Sequence, residues 1–201
     1  DLDSIYNGGS VVNIAIDLNG QQPVQCYIRR IAKPEFILRS IDTGVSEVVS
    51  DWSSLEAYTQ VGSSFTIPKA ALSLAGFSQR FSLQKYNSLE EQLKALGGGL
   101  EITTLAAIPK GSGLGTSSII ASTLLGTLSN VCSLVWNDDE ICFRTLALEQ
   151  LLTTGGGWQD QFGGVFGGIK LCTSVPGIQN QLSVRRLPTN VITDSQNAGL
   201  W

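Results

Sequence analysis

Three glycines at alternate positions, followed by three hydroxyls, mark one stretch of the chain as able to hold an anion. It reads Pro109-Lys110-Gly111-Ser112-Gly113-Leu114-Gly115-Thr116-Ser117-Ser118. Leu100 to Ala107, just before it, read as a strand, and a helix of about 17 residues is expected from Ser118. A helix start offers unpaired amide N–H groups and a partial positive charge. Glycine lets the backbone turn sharply and approach a ligand with no Cβ in the way. With the hydroxyls of Thr116, Ser117 and Ser118 added, the stretch is a cradle for a polyphosphate. Two other phosphate loops are excluded by residue order. A P-loop needs Lys and then Ser or Thr after its last glycine, whereas Thr116 directly follows Gly115. A dinucleotide turn needs G-x-G-x-x-G, and the spacing here is Gly111-x-Gly113-x-Gly115. A bare glycine-rich connection is the simpler alternative, but the hydroxyls and the strand–helix setting favour a ligand.

Two carboxylates form a second group. Glu149 lies among Leu146, Leu148, Leu151 and Leu152, on a helix that must be largely buried. A carboxylate there needs a metal, a cation or hydrogen-bond donors. Asp160 follows Gly155-Gly156-Gly157, where the chain could approach a ligand closely. An Asp so placed can accept or orient a hydroxyl proton. Each also has an ordinary reading, Glu149 as a solvated helix position and Asp160 as a turn residue. Beside a phosphate cradle, the two complete what phosphoryl transfer requires: an anion site, a metal carboxylate and a group that positions the hydroxyl.

Composition narrows the class. The chain has 201 residues, 42% of them hydrophobic, which suffices for one domain with a sizeable core. A net charge of -4, with no cluster of Lys or Arg, excludes the basic footprint of a nucleic-acid or anionic-membrane binder. Histidine is absent and Cys26, Cys132, Cys142 and Cys172 lack C-x-x-C spacing, so the usual zinc sites lack their ligands. The cysteines read as reduced thiols of a cytoplasmic protein. No signal peptide is visible at Asp1-Leu2-Asp3, and Ile119 to Trp136 is too short and polar for a membrane span. The lack of any Met and the ending at Gly199-Leu200-Trp201 lead us to expect a segment of a longer protein.

The remaining elements must position these groups. Val11 to Leu18 and Val24 to Ile31 read as strands joined at Asn19-Gly20 into a hairpin. Glu35 to Ser40 and Ser46 to Ser50 read as two more strands. Pro68 opens a helix through Leu74, and Ser88-Leu89-Glu90-Glu91 caps another that stops at Gly97-Gly98-Gly99. Asp138-Asp139-Glu140 start a third helix, running to Gly155, and Val165 to Leu171 reads as a strand. The order predicts an α/β (α+β) fold, a mixed sheet with helices on one face.

The stretch from Pro109 to Ser118 resembles the second motif of the GHMP kinases, which phosphorylate galactose, homoserine, mevalonate and related small molecules. Leu148 to Gln161 narrows the likeness to L-fucose kinases, in particular the bacterial kind fused to a nucleotidyltransferase. Asn13 to Gly20 and Ile67 to Leu72 are similar to the same subfamily. The resemblance implies the GHMP N-terminal domain over residues 1–175, with 176–201 leading towards a C-terminal domain. It implies that Lys110, Gly111, Ser112, Gly113, Leu114, Gly115, Thr116, Ser117 and Ser118 wrap the phosphates of ATP. Ser117 and Glu149 would hold Mg²⁺, and Asp160, eleven positions after Glu149, would be catalytic. Gly156, Gly157 and Trp158 would sit near the sugar. The expected reaction is transfer of the γ-phosphoryl group of MgATP to the anomeric hydroxyl of L-fucose. A heptose-phosphate kinase and a nucleotide-binding relic without catalysis are the alternatives. The family's first and third motifs do not occur in the chain, so these 201 residues alone are expected to be inactive.

Overall fold

The computed structural model describes residues 7–60, 62–109, 111–153, 157–177 and 182–189. Seven strands and six helices follow in the order β1 (Gly9–Ile14), β2 (Val24–Ile31), β3 (Phe36–Ser40), β4 (Ser46–Val49), α1 (Trp52–Glu56), α2 (Thr66–Leu72), α3 (Leu89–Leu96), β5 (Gly99–Ala106), α4 (Thr116–Val131), α5 (Asp138–Leu151), α6 (Gln159–Val165), β6 (Ile169–Ser174) and β7 (Leu182–Arg186).

The strands form two sheets. The larger is mixed, in the order β2-β5-β3-β4, with β5 parallel to β3 and the other pairs antiparallel. Its inner face carries Phe36, Leu38, Leu100 and Ile102, all buried, against α2, α3 and α4. Apolar residues alternate along these strands because successive side chains point to opposite faces. The smaller sheet, β1-β6-β7, is antiparallel. It packs on α5 and α6 through Cys142, Trp158, Phe162 and Cys172. Strand β7 lies beyond residue 175 and still belongs to this sheet.

Local signals explain most element ends. Ser88 Oγ accepts from Glu91 N (3.1 Å), which caps α3, and Gly97 ends it at φ +94. Asn137 and Glu140 form a reciprocal capping box at the start of α5. Two expectations give way. The Asn19-Gly20 turn forms, with both residues at positive φ, but it does not join a hairpin. Strand β1 pairs with β6 over six positions and β2 with β5 over eight, so the turn passes the chain from one sheet to the other. The second departure is α6. Residues 159–165 are helical, and the following strand starts at Ile169, not Val165. Gly163 and Gly164 hide this helix in the sequence because glycine is a weak helix former. They are needed for packing: a Cβ on Gly163 would lie 2.6 Å from Asn13 Cγ, and one on Gly164 would lie 2.8 Å from Ile119 Cγ1.

The tightest glycine is at the start of β5. A Cβ on Gly99 would come within 1.9 Å of the Glu35 carbonyl oxygen and 2.4 Å of that of Lys33. Those carbonyls are fixed by bonds from Leu100 N (3.1 Å) and Gly99 N (3.0 Å). Gly99→Ala is expected to lower stability by about 3 kcal/mol, the upper end for a forced fit in a packed core. Urea unfolding of the variant checks this through a lowered midpoint at unchanged slope.

Candidate active site

Strand β5 delivers the chain to the glycine turn, and α4 leaves it. Gly111, Gly113 and Gly115 are all left-handed, at φ +76, +74 and +66. Such backbone disfavours residues with a Cβ, which is why glycine recurs at alternate positions. Gly115 is the N-cap of α4, and no side chain caps the helix there. The first-turn amides of α4 therefore lack a side-chain partner within the protein. The Oγ1 of Thr116 is also buried and has no hydrogen-bond partner. A polar atom in that state is a reason to look for a ligand.

A cavity opens on each side of the turn. The one of about 570 Å³ is lined by Gly111, Thr116 and Ser117, and opposite them by Ser63 to Pro68. The one of about 640 Å³ lies between β1 and the other side of the turn, against Gly113, Leu114, Asp160 and Gly163. Asp160 is the one charged side chain among its described lining residues.

Glu149, on the last turns of α5, is 8% exposed. Ser118 Oγ donates to its Oε1, and Gln161 Nε2 donates to its Oε2 at 2.5 Å. Gln161 is itself buried, and its Oε1 has no partner. Burial pushes the Glu149 carboxyl above the usual carboxylate range. The Ser118 and Gln161 bonds pull the other way, and the charge of Asp160 adds to the rise. Asp160 is in the first turn of α6 and half-buried. A Cβ on Gly115 would lie 2.8 Å from Asp160 Cγ, so the aspartate rests directly on the glycine turn. Burial raises its carboxyl too.

The structure thus brings together Gly111, Gly113, Gly115, Thr116, Ser118, Glu149 and Asp160. Ser112 and Leu114 are exposed on the turn. Ser117 is exposed towards the smaller cavity, and the hydroxyl that meets Glu149 belongs to Ser118. Trp158, expected near the sugar, is 2% exposed in the second core and lines neither cavity, because its indole packs with the Phe162 cluster. Gly157 is buried beside it. Lys110 and Gly156 lie outside the described residues. Two participants were not singled out from the sequence. Gln161 directly follows Asp160, but only the fold shows that it reaches Glu149. Asn13 lines the larger cavity and meets Gly163.

Among the described residues no three His, Cys, Asp or Glu side chains gather into a metal cage. A magnesium ion carried by nucleotide phosphates needs only one or two protein ligands, which suits a site with Glu149 and nearby hydroxyls. No helix among the described residues is long and apolar enough to cross a membrane.

Residues 82–168, which contain the turn, Glu149 and Asp160, match the family described as "GHMP kinases N terminal domain". Residues 82–168 thus carry the sequence of a GHMP kinase N-terminal domain. It is 57% identical over 190 residues to the L-fucokinase/L-fucose-1-P guanylyltransferase of Bacteroides fragilis, covering 94% of this chain and 20% of that protein. It is 35% identical over 181 residues to the bifunctional fucokinase/GDP-fucose pyrophosphorylase of Arabidopsis thaliana, covering 90% and 16%. The chain therefore spans a fifth or less of the length of these relatives. Among solved structures it is similar to a D-glycero-D-manno-heptose 1-phosphate kinase from Bacteroides thetaiotaomicron, with a TM-score of 0.65 and 21% identity over 90% of this chain and 52% of that one. The mevalonate kinase of Methanococcus jannaschii gives a TM-score of 0.59 and 16% identity, over 82% and 46%. These two likenesses show that the chain shares the fold of those structures.

The half-buried aspartate has a measurable signature. With its pKa raised in the fold, Asp160 contributes stability below the ordinary carboxylate value and loses it as pH rises through the raised value. The stability of Asp160→Asn relative to the parent protein, without nucleotide, is expected to increase from pH 4 to pH 7. Urea titrations at both pH values test this, and a pH-independent difference would contradict the burial of Asp160.

Proposed function

We propose that this GHMP domain is the nucleotide-binding and catalytic part of an ATP-dependent sugar kinase. In our reading it transfers the γ-phosphoryl group of MgATP to the anomeric hydroxyl of L-fucose. The contact of Asp160 with the glycine turn carries the proposal. A base that rests on the phosphate cradle and also faces a second cavity can meet a hydroxyl as that hydroxyl meets a phosphate.

Each group then has a part. The amides and hydroxyls from Lys110 to Ser118 hold the ATP phosphates, with the nucleotide in the smaller cavity. Glu149, with Ser117 or Ser118, would hold Mg²⁺, which would neutralise charge on the phosphates. Asp160 orients the sugar hydroxyl and takes its proton as the hydroxyl oxygen bonds to the γ-phosphorus. The bond from that phosphorus to the β–γ bridging oxygen breaks, and ADP leaves. Burial raises the proton affinity of Asp160, which suits a general base. Gly157 and Trp158 support the sugar side from the core behind α6.

The walls of the larger cavity favour a neutral sugar over a phosphosugar. Its described residues are apolar or uncharged apart from Asp160, which would repel a substrate phosphate. A substrate phosphate would call for a basic residue, yet Lys170 is fully buried with its Nζ donating to the Gly168 carbonyl (3.3 Å). Arg185 and Arg186 are exposed on β7 and line neither cavity. The names of both curated relatives pair the kinase with a nucleotidyl transfer on its product. We place this domain in a similar fusion, in the cytoplasm, feeding GDP-fucose formation.

A panel of free sugars and sugar phosphates, assayed for ATP turnover with the full-length protein, tests the substrate. L-fucose is expected to give the highest kcat/KM, and preference for a phosphosugar would overturn the assignment. Asp160→Asn in that protein is expected to lower kcat at least about 100-fold, the lower range for loss of a general base, with ATP affinity retained. Near-normal turnover would remove Asp160 from the mechanism.

A further inference from the structure

The wall of the smaller cavity opposite the glycine turn is held by a lysine that the phosphoryl-transfer scheme does not use. Lys69, in α2, is 2% exposed. Its Nζ lies 2.6 Å from Glu47 Oε1 on β4 and donates to Ser63 Oγ at 3.3 Å. Its backbone N–H donates to the Phe65 carbonyl at 3.0 Å. Lys69 is thus tied by both its ends to the segment from Ser63 to Phe65.

That segment is strained. Phe65 is left-handed, at φ 55 and ψ 36, with no side-chain cap on the helix it begins. A bulky residue in this conformation persists only where its surroundings hold it, and such positions recur at ligand clamps. Ser63, Ser64, Phe65 and Thr66 all line the cavity whose far wall is Gly111, Thr116 and Ser117. A buried ion pair is a weak source of net stability, since apolar side chains of similar volume often serve as well. What it does provide is fixed geometry between the elements it joins, here sheet edge, loop and helix.

We propose that Glu47, Lys69 and Ser63 form a clasp that sets the position of this wall, making Lys69 a positioning residue for the nucleoside part of ATP. The inference rests on the reading of the smaller cavity as the nucleotide site. It adds the element that shapes the end of the cavity away from the phosphates.

The test uses the full-length protein with Glu47→Gln, Lys69→Met and the charge-exchanged pair Glu47→Lys with Lys69→Glu. Each single variant is expected to raise the KM for ATP, and the Kd for ATP by calorimetry, about tenfold. The KM for the sugar and kcat at saturating ATP are expected to stay within about twofold, and the exchanged pair to recover most of the ATP affinity. Glu47→Gln alters the more exposed partner and serves if Lys69→Met does not fold. An unchanged ATP affinity in a folded variant would overturn the clasp. So would a parallel loss in both KM values and in thermal midpoint, which marks a merely structural pair. A parent protein that binds no ATP would overturn the nucleotide reading itself, a separate result.

Discussion

The site depends on one close approach, that of Asp160 to Gly115. At φ +66, and with the aspartate packed where a Cβ would point, position 115 has room for glycine alone. The contact fixes two things at once. It ends the glycine turn so that α4 starts with its amides uncapped, and it holds the first turn of α6 against that start. Glu149 closes the arrangement from α5 by accepting from Ser118 on α4 and Gln161 on α6. Three helices are thereby joined within one turn of the glycine turn.

Helix α4 ties this constellation to the rest of the fold. It runs from the turn into the main core, with Ala121, Leu124, Leu125 and Leu128 fully buried. Its contacts reach β2 on one side and α5 and α6 on the other. The two sheets otherwise share little. Close packing of this kind transmits small displacements, so substitutions along α4 should be felt at the turn. Burial also has an electrical consequence, since desolvation holds both carboxylates above their usual range. A bound Mg²⁺ would relieve that cost for Glu149, which is a physical reason for a divalent ion to bind there.

Much of this was legible in the residues. The turn, its flanking strand and helix, and the two carboxylates stood out because their chemistry is local: glycines at alternate positions, hydroxyls at a helix start, an acid in an apolar run. Strands β2 to β5 and helices α3 to α5 followed from alternation and caps. The misses share a cause, which is that they depend on contacts between distant segments. The Asn19-Gly20 turn could not reveal that β1 would pair with β6. Helix α6 was hidden by Gly163 and Gly164, whose value lies in what they pack against, Asn13 and Ile119. The choice between Ser117 and Ser118 as partner of Glu149 is a matter of about 100° of helix rotation between neighbours, which spacing alone does not resolve. The resemblance puts Trp158 near the sugar, yet its indole fills the second core.

The central claim is spatial: nucleotide on one side of the glycine turn, sugar on the other, Asp160 between them. A crystal structure of the full-length protein with L-fucose and a non-hydrolysable MgATP analogue tests it most directly. The account predicts the nucleoside between the Ser63–Pro68 segment and Ser117. It places the terminal phosphate over the turn, the metal beside Glu149, and Asp160 within hydrogen-bond distance of the anomeric hydroxyl. A nucleotide bound in the β1 cavity, or a sugar hydroxyl out of reach of Asp160, would contradict it.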